Sequence, residues 1–121
     1  MTLIGASKKV DTGPIYFQNF FKLKGTELSD EIRDIQGNQV LKLIKKLLIK
    51  YPNIKSKKQV GKSNFNKRRY PKDSQLNINK TIKEQFNHLR INDNKLYPSY
   101  FIFKDHKYMI NIFKDKKKKN F

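Results

Sequence analysis

The stretch between Gly25 and Pro52 constrains this chain more than any other. Apolar residues recur there at Leu28, Ile32, Ile35, Val40, Leu41, Ile44, Leu47, Leu48 and Tyr51, close to the period of an α-helix. Thr26 or Ser29 can cap its start, and Glu27, Asp30 and Glu31 fall in the first turns, where the helix dipole favours negative charge. Gly37 is a place for a kink, and Pro52 ends the helix because the residue before a proline is driven out of the α region. Lys42, Lys45, Lys46 and Lys50 alternate with the apolar positions. They read as the solvated face of a core helix in preference to a cationic helix lying on a membrane.

Such a helix needs a sheet to lie on, and the segments around it supply short extended runs. Residues 2–4 and 14–23 read as two strands around a polar, glycine-bearing loop, with Pro14 tolerable only at a strand start. Two strands alone are not stable in water, so their neighbours are expected upstream of Met1. Residues 55–73 have little periodicity and much charge and read as an extended loop. Asn79 can cap a second helix carrying Ile82, Phe86 and Leu89 on one face. Residues 100–103 and 108–113 then flank a four-residue connection and read as a hairpin. The expected divisions are 1–54, 55–78, 79–113 and a basic tail, 114–121.

Composition excludes several functions. Cysteine is absent, so disulfides, thiolate nucleophiles and Cys-bound zinc are ruled out. The two histidines, His88 and His106, fall in separate elements with no second ligand at metal spacing, and no metal site is expected. No apolar run approaches the roughly 18 residues needed to span a bilayer, and residues 1–6 do not form a secretory signal. A cytoplasmic location is the default. The net charge of +18 suits phosphate binding, yet nearly all of it is lysine, with only Arg33, Arg68, Arg69 and Arg90 offering a bidentate fork. The excess reads as compositional, and neither nucleic acid nor membrane is expected as a partner. A small basic RNA-binding protein stays as a minor alternative, and the 116–119 lysine run reads as a solubilising tail.

The most informative short segment is Val10-Asp11-Thr12-Gly13-Pro14-Ile15. It sets a carboxylate at a strand-flanking turn, where it can accept a proton, with a glycine two residues on that allows close approach to the backbone. Taken alone, Asp and Gly at such a place are ordinary turn residues. The segment Asp11-Thr12-Gly13-Pro14-Ile15-Tyr16-Phe17-Gln18 resembles, however, the D-x-G-x-I-x-x-Q stretch of formyltransferases, a superfamily that includes methionyl-tRNA formyltransferase, glycinamide ribonucleotide transformylase and sugar N-formyltransferases. Thr26-Glu27-Leu28 is similar to the family's T-x-x-E-L region, and the segment from Arg69-Tyr70-Pro71 to Asn77 to its R-x-P-x-D-x-x-I segment. Phe86-Asn87-His88-Leu89-Arg90 and Tyr97-Pro98-Ser99-Tyr100-Phe101 resemble blocks that close several sugar N-formyltransferases. Each block is short, and it is their order along the chain that carries the resemblance.

The resemblance implies an α/β chain forming the C-terminal part of a Rossmann-like formyltransferase domain, with two strands and a long helix, then a loop, a helix and a β-hairpin. It implies transfer of a formyl group from 10-formyltetrahydrofolate to an amine. The short C-terminal portion favours a nucleotide-linked amino sugar as acceptor, with a methionyl-tRNA formyltransferase-like protein as the alternative. Of the family's catalytic Asn, His and Asp, only the Asp has a counterpart, Asp11, whose implied role is to orient the histidine and a water and to manage protons. The folate-contacting loop corresponds to residues 7–10, so Lys8, Lys9 and Val10, with Gly13, are the implied cofactor contacts. Arg69 and Asp73 are the implied contacts to the sugar substrate. The N-x-H motif that supplies the other two catalytic residues does not occur here. That absence leaves catalytic competence open and implies a separately encoded N-terminal half as partner, or else a non-catalytic remnant. A homodimer is also left open.

Overall fold

The computed structural model describes residues 1–62 and 64–115. Its elements are β1 (Thr2–Ile4), β2 (Ile15–Gln18), α1 (Ser29–Lys50), a 3₁₀ turn (Pro71–Ser74), α2 (Ile82–Ile91), β3 (Ser99–Phe103) and β4 (His106–Ile110). This is the α/β order expected: two strands, a long helix, a loop, a helix and a hairpin. The chain divides into two compact units, one of Met1–Lys22 and Arg33–Asn66, the other of Leu23–Ile32 and the chain from Lys67 onward. The 116–119 lysine run lies outside the described residues.

In the first unit β1 and β2 pair antiparallel, Thr2 opposite Gln18 and Leu3 opposite Phe17, and the register then shifts so that Ile4 faces Ile15. The far edge of β2 takes a short bridge from the loop after α1, with Ile15 N–H donating to Lys57 O (2.7 Å) and Lys57 N–H to Ile15 O (2.8 Å). The second strand is shorter than the expected 14–23 run. Aromatic residues favour a strand only where a pleated, half-buried surface receives them, and Phe20 stands 89% exposed.

From the part of α1 in this unit, one face meets β2. Leu43 is buried, the Lys46 ammonium sits 4.8 Å from the Phe17 ring centroid, and Asn19 Nδ2 donates to Gln39 Oε1 (3.4 Å). The helix runs unbroken through Gly37 to Lys50, just before Tyr51-Pro52. At its start the Glu31 carboxylate reaches back to accept the Leu28 N–H (2.8 Å), satisfying a backbone donor just ahead of the helix.

In the second unit Leu28, Leu76, Leu89 and Tyr100 form the apolar core, and Ser74, Arg90, Asn92 and Ser99 are buried among them. Buried polar groups are tolerated when paired. Here Asn92 Nδ2 donates to Ser99 Oγ (2.6 Å), Ser74 Oγ to Tyr97 O (3.2 Å), and Arg90 to Glu27 O (2.8 Å) and Asn87 Oδ1 (2.8 Å). Helix α2 is capped by Thr81, not by Asn79. The Thr81 hydroxyl accepts the Glu84 N–H while the Glu84 carboxylate accepts the Thr81 N–H (2.7 Å), a reciprocal box that satisfies two backbone donors at once.

The β3–β4 hairpin is also tighter than expected. Its turn is the pair Lys104-Asp105, both at positive φ (47° and 62°), and pairing resumes at Phe103 opposite His106. Two left-handed residues give a turn whose twist matches that of the strands, so His106 and Lys107 belong to β4 and not to the connection. The directly opposed Phe101 and Tyr108 rings stack at 5.2 Å.

Candidate functional site

The loop between β1 and β2 carries Asp11, and its shape follows from a few contacts. Gly5 N–H donates to Pro14 O (2.8 Å) and closes the loop at its base. Just inside that closure the backbone of Gly13 presses on Gly5, and a Cβ at Gly13 would lie 1.7 Å from the Gly5 oxygen. Only glycine fits there. At the tip the Ser7 hydroxyl donates to Lys9 O (2.7 Å) and pairs with Thr12 Oγ1 (2.8 Å), whose hydroxyl also reaches Lys9 O (3.0 Å). The result is a folded turn with Asp11 in the left-handed region (φ 57°), a conformation Asp tolerates better than most residues.

The loop is also held from outside. Gln59 Nε2 donates to both Asp11 O (2.9 Å) and Gly13 O (2.6 Å). Thus the backbone at Asp11 is fixed on both sides while its side chain stands exposed. Lys8, Lys9 and Val10 are exposed beside it, Val10 to 89%. The structure brings these four residues together on one turn. Gly13 is buried, and the close approach it permits is that of the Gly5 carbonyl.

Arg69 and Asp73 lie in the second unit, where they line a surface groove of about 750 Å³ with Lys67, Arg68, Tyr70 and Lys72. Both are tied into local structure. The half-buried Arg69 guanidinium donates to Asn92 Oδ1, and the Asp73 carboxylate accepts the Tyr70 N–H (2.7 Å) at the start of the 3₁₀ turn. The Arg68 guanidinium sits 5.9 Å from the Tyr70 ring centroid. His88 is placed on α2 with Nε2 2.7 Å from Asp73 O, and His106 opens β4 with Nδ1 2.7 Å from Lys104 O.

Three carboxyls titrate below their ordinary range. Glu27 is held down chiefly by the Lys24 N–H, Glu31 by Lys114 (2.6 Å), and Glu84 by the Thr81 N–H. All three stabilise turns and helix starts and are separate from the Asp11 loop.

Against proteins of known structure, the chain superposes on methionyl-tRNA formyltransferase from Clostridium thermocellum with a TM-score of 0.60 and 21% identity, over 88% of this chain and 46% of that one. The chain has part of the formyltransferase fold. It spans about half the length of that structure. No family model matches the sequence, and no curated protein does. Among the described residues no helix is long and apolar enough to cross a membrane.

Sequence reasoning found Asp11 and Gly13 but missed Gln59, which lies 48 and 46 residues from the carbonyls it holds. A glutamine in a charged loop carries no local signal of such a partner. The Thr81-x-x-Glu84 box, by contrast, was present as a local signature four residues long and outranks Asn79 because it satisfies donors at both ends.

Proposed function

We propose that this chain supplies the Asp11 part of a formyl-transfer site, in which a formyl group passes from 10-formyltetrahydrofolate to the amine of a nucleotide-linked amino sugar. The observation that carries this reading is Asp11 itself: an exposed carboxylate on a turn fixed by Gln59 and by the Gly5–Gly13 contact, within part of a formyltransferase fold.

In this reading the acceptor nitrogen uses its lone pair to bond the formyl carbon, and the bond from that carbon to N10 of the folate breaks with its electron pair going to N10. The proton lost by the amine travels through water to N10. Asp11 accepts and returns that proton, a contribution of about 10²- to 10⁴-fold. The exposed Lys8, Lys9 and Val10 border the folate, and Gly13 holds the loop in shape. In the groove of the second unit, Arg69 keeps guanidinium donors beyond the one given to Asn92, and these suit an anionic substrate group, with Asp73 beside them. The Asn and His of the family's trio come from polypeptide outside these 121 residues.

A methionyl-tRNA acceptor is the second reading, favoured by the structural likeness to an enzyme of that name. An assay of the chain, together with the polypeptide encoded upstream of Met1, on both acceptors separates the two. Formylation of the amino sugar in preference to the charged tRNA supports the first, the opposite preference the second. Full activity of the 121-residue chain by itself contradicts the split site.

A further inference from the structure

The guanidinium of Arg69 ends a chain of polar contacts that begins in the interior of the second unit. Ser99, the first residue of β3, is 1% exposed, and Asn92, just past the end of α2, is 3% exposed. The Asn92 amide donates from Nδ2 to Ser99 Oγ (2.6 Å) and accepts at Oδ1 from the Arg69 guanidinium. Its two ends are not interchangeable. A guanidinium has donors and no acceptor, so it takes the amide oxygen, and the hydroxyl, which can accept, takes the NH₂. Both ends of the amide are thereby fastened, and Arg69 is held against a fixed acceptor. The segment that carries Arg69 is tied to the same floor twice more, Ser74 Oγ donating to Tyr97 O (3.2 Å) and Leu76 N–H to Tyr100 O (2.7 Å).

What is held in this way is a charge without a counter-charge. Among the described residues Arg69 makes no ion pair. Its partner is a neutral amide, and Lys67, Arg68 and Lys72 line the groove beside it. The groove's one carboxylate, Asp73, already accepts the Tyr70 N–H. An interior built for stability alone gains little from such a chain, because replacing both partners of a buried hydrogen bond by apolar groups of the same shape is nearly neutral. A chain that ends on an oriented, uncompensated guanidinium suits instead an anion with several oxygens, which the remaining N–H donors meet in a rigid fork. We propose that Asn92 and Ser99 are positioning residues for Arg69, fixing its guanidinium so that it grips the diphosphate of a nucleotide-linked substrate in this groove. The inference rests on the reading of Arg69 as a substrate contact. It adds that the strength of that contact is set from the interior, by two residues that touch no ligand.

The test is isothermal titration of the full chain with inorganic pyrophosphate at one fixed ionic strength, in the parent, Arg69→Ala, Ser99→Ala and the double variant, with urea unfolding of each. Arg69→Ala is expected to weaken binding, and Ser99→Ala to weaken it by roughly three- to tenfold. In the Arg69→Ala background the Ser99 substitution is expected to change nothing further, the non-additivity of a residue that acts through another. A folded Ser99→Ala chain that binds like the parent, or a loss of the same size with and without Arg69, would overturn the inference and leave Arg69 as a contact. No binding by the parent, or binding indifferent to Arg69→Ala, would overturn both the inference and the reading of Arg69. Nitrogen-15 NMR of the parent chain puts the same question without a substitution. A resolved, slowly rotating Arg69 guanidinium is expected; one that turns as freely as that of the exposed Arg68 would overturn the inference, even where Ser99→Ala does not fold.

Discussion

Gly13 and Gln59 do different work on the same turn. Gly13 is required by exclusion, since a methyl group there would have to displace the Gly5 carbonyl from 1.7 Å. Gly13→Ala is therefore expected to cost about 1–3 kcal/mol, the usual range for overpacking, measured by urea unfolding; unchanged stability would show that the loop yields. Gln59 acts by two hydrogen bonds, each worth about 1 kcal/mol net. In Gln59→Ala, amide exchange over residues 11–14 is expected to accelerate while exchange in α1 stays as in the parent chain, and equal rates in the loop would remove Gln59 from the account. The sequence made Asp11 and Gly13 visible because a turn's chemistry is local. It could not show Gln59, whose partners are brought to it only by the Ile15–Lys57 bridge two residues earlier.

The elements were legible where hydrophobic period and punctuation agreed, and their ends moved where a cap or a turn competed. Helix α1 runs to the boundary that Pro52 sets, whereas α2 begins at the Thr81–Glu84 box and not at Asn79. Thr81→Ala should then lower stability by about 1 kcal/mol, while Asn79→Ala should fall within about 0.5 kcal/mol of the parent; the two unfolding midpoints, compared side by side, decide which residue caps the helix. The hairpin offers the reverse experiment. Lys104 and Asp105 both occupy the left-handed region, so the pair Lys104→Asn/Asp105→Gly replaces strained residues by those the turn favours, and a higher melting temperature is expected. A lower one would mean that the turn is not held in that conformation. The strand reading of residues 14–23 overran because propensity cannot see that no neighbouring strand waits for Phe20.

At the scale of the whole molecule, charge and fold speak to different questions. The charge of +18 reflects lysine abundance and says little about the fold, while three carboxylates that hold turns and helix starts, Glu27, Glu31 and Glu84, are drawn below their ordinary range. In the unfolded chain Glu27, Glu31 and Glu84 bind protons near pH 4.3, roughly their free value, and in the fold they bind them only at lower pH. Between those points the unfolded state holds more protons, so stability is fully present above about pH 5 and is lost as pH falls through the folded values. A melting temperature that falls on acidification, and falls less in Glu84→Gln, is the expected result; a flat profile from neutral pH down to about 3 would contradict it. The central claim concerns one carboxylate, and the direct measurement is the rate of labelled formyl transfer by the complex of this chain with its upstream polypeptide, parent against Asp11→Asn. A fall of about 10²- to 10⁴-fold with the complex intact is expected; an Asp11→Asn complex as fast as the parent would contradict the account.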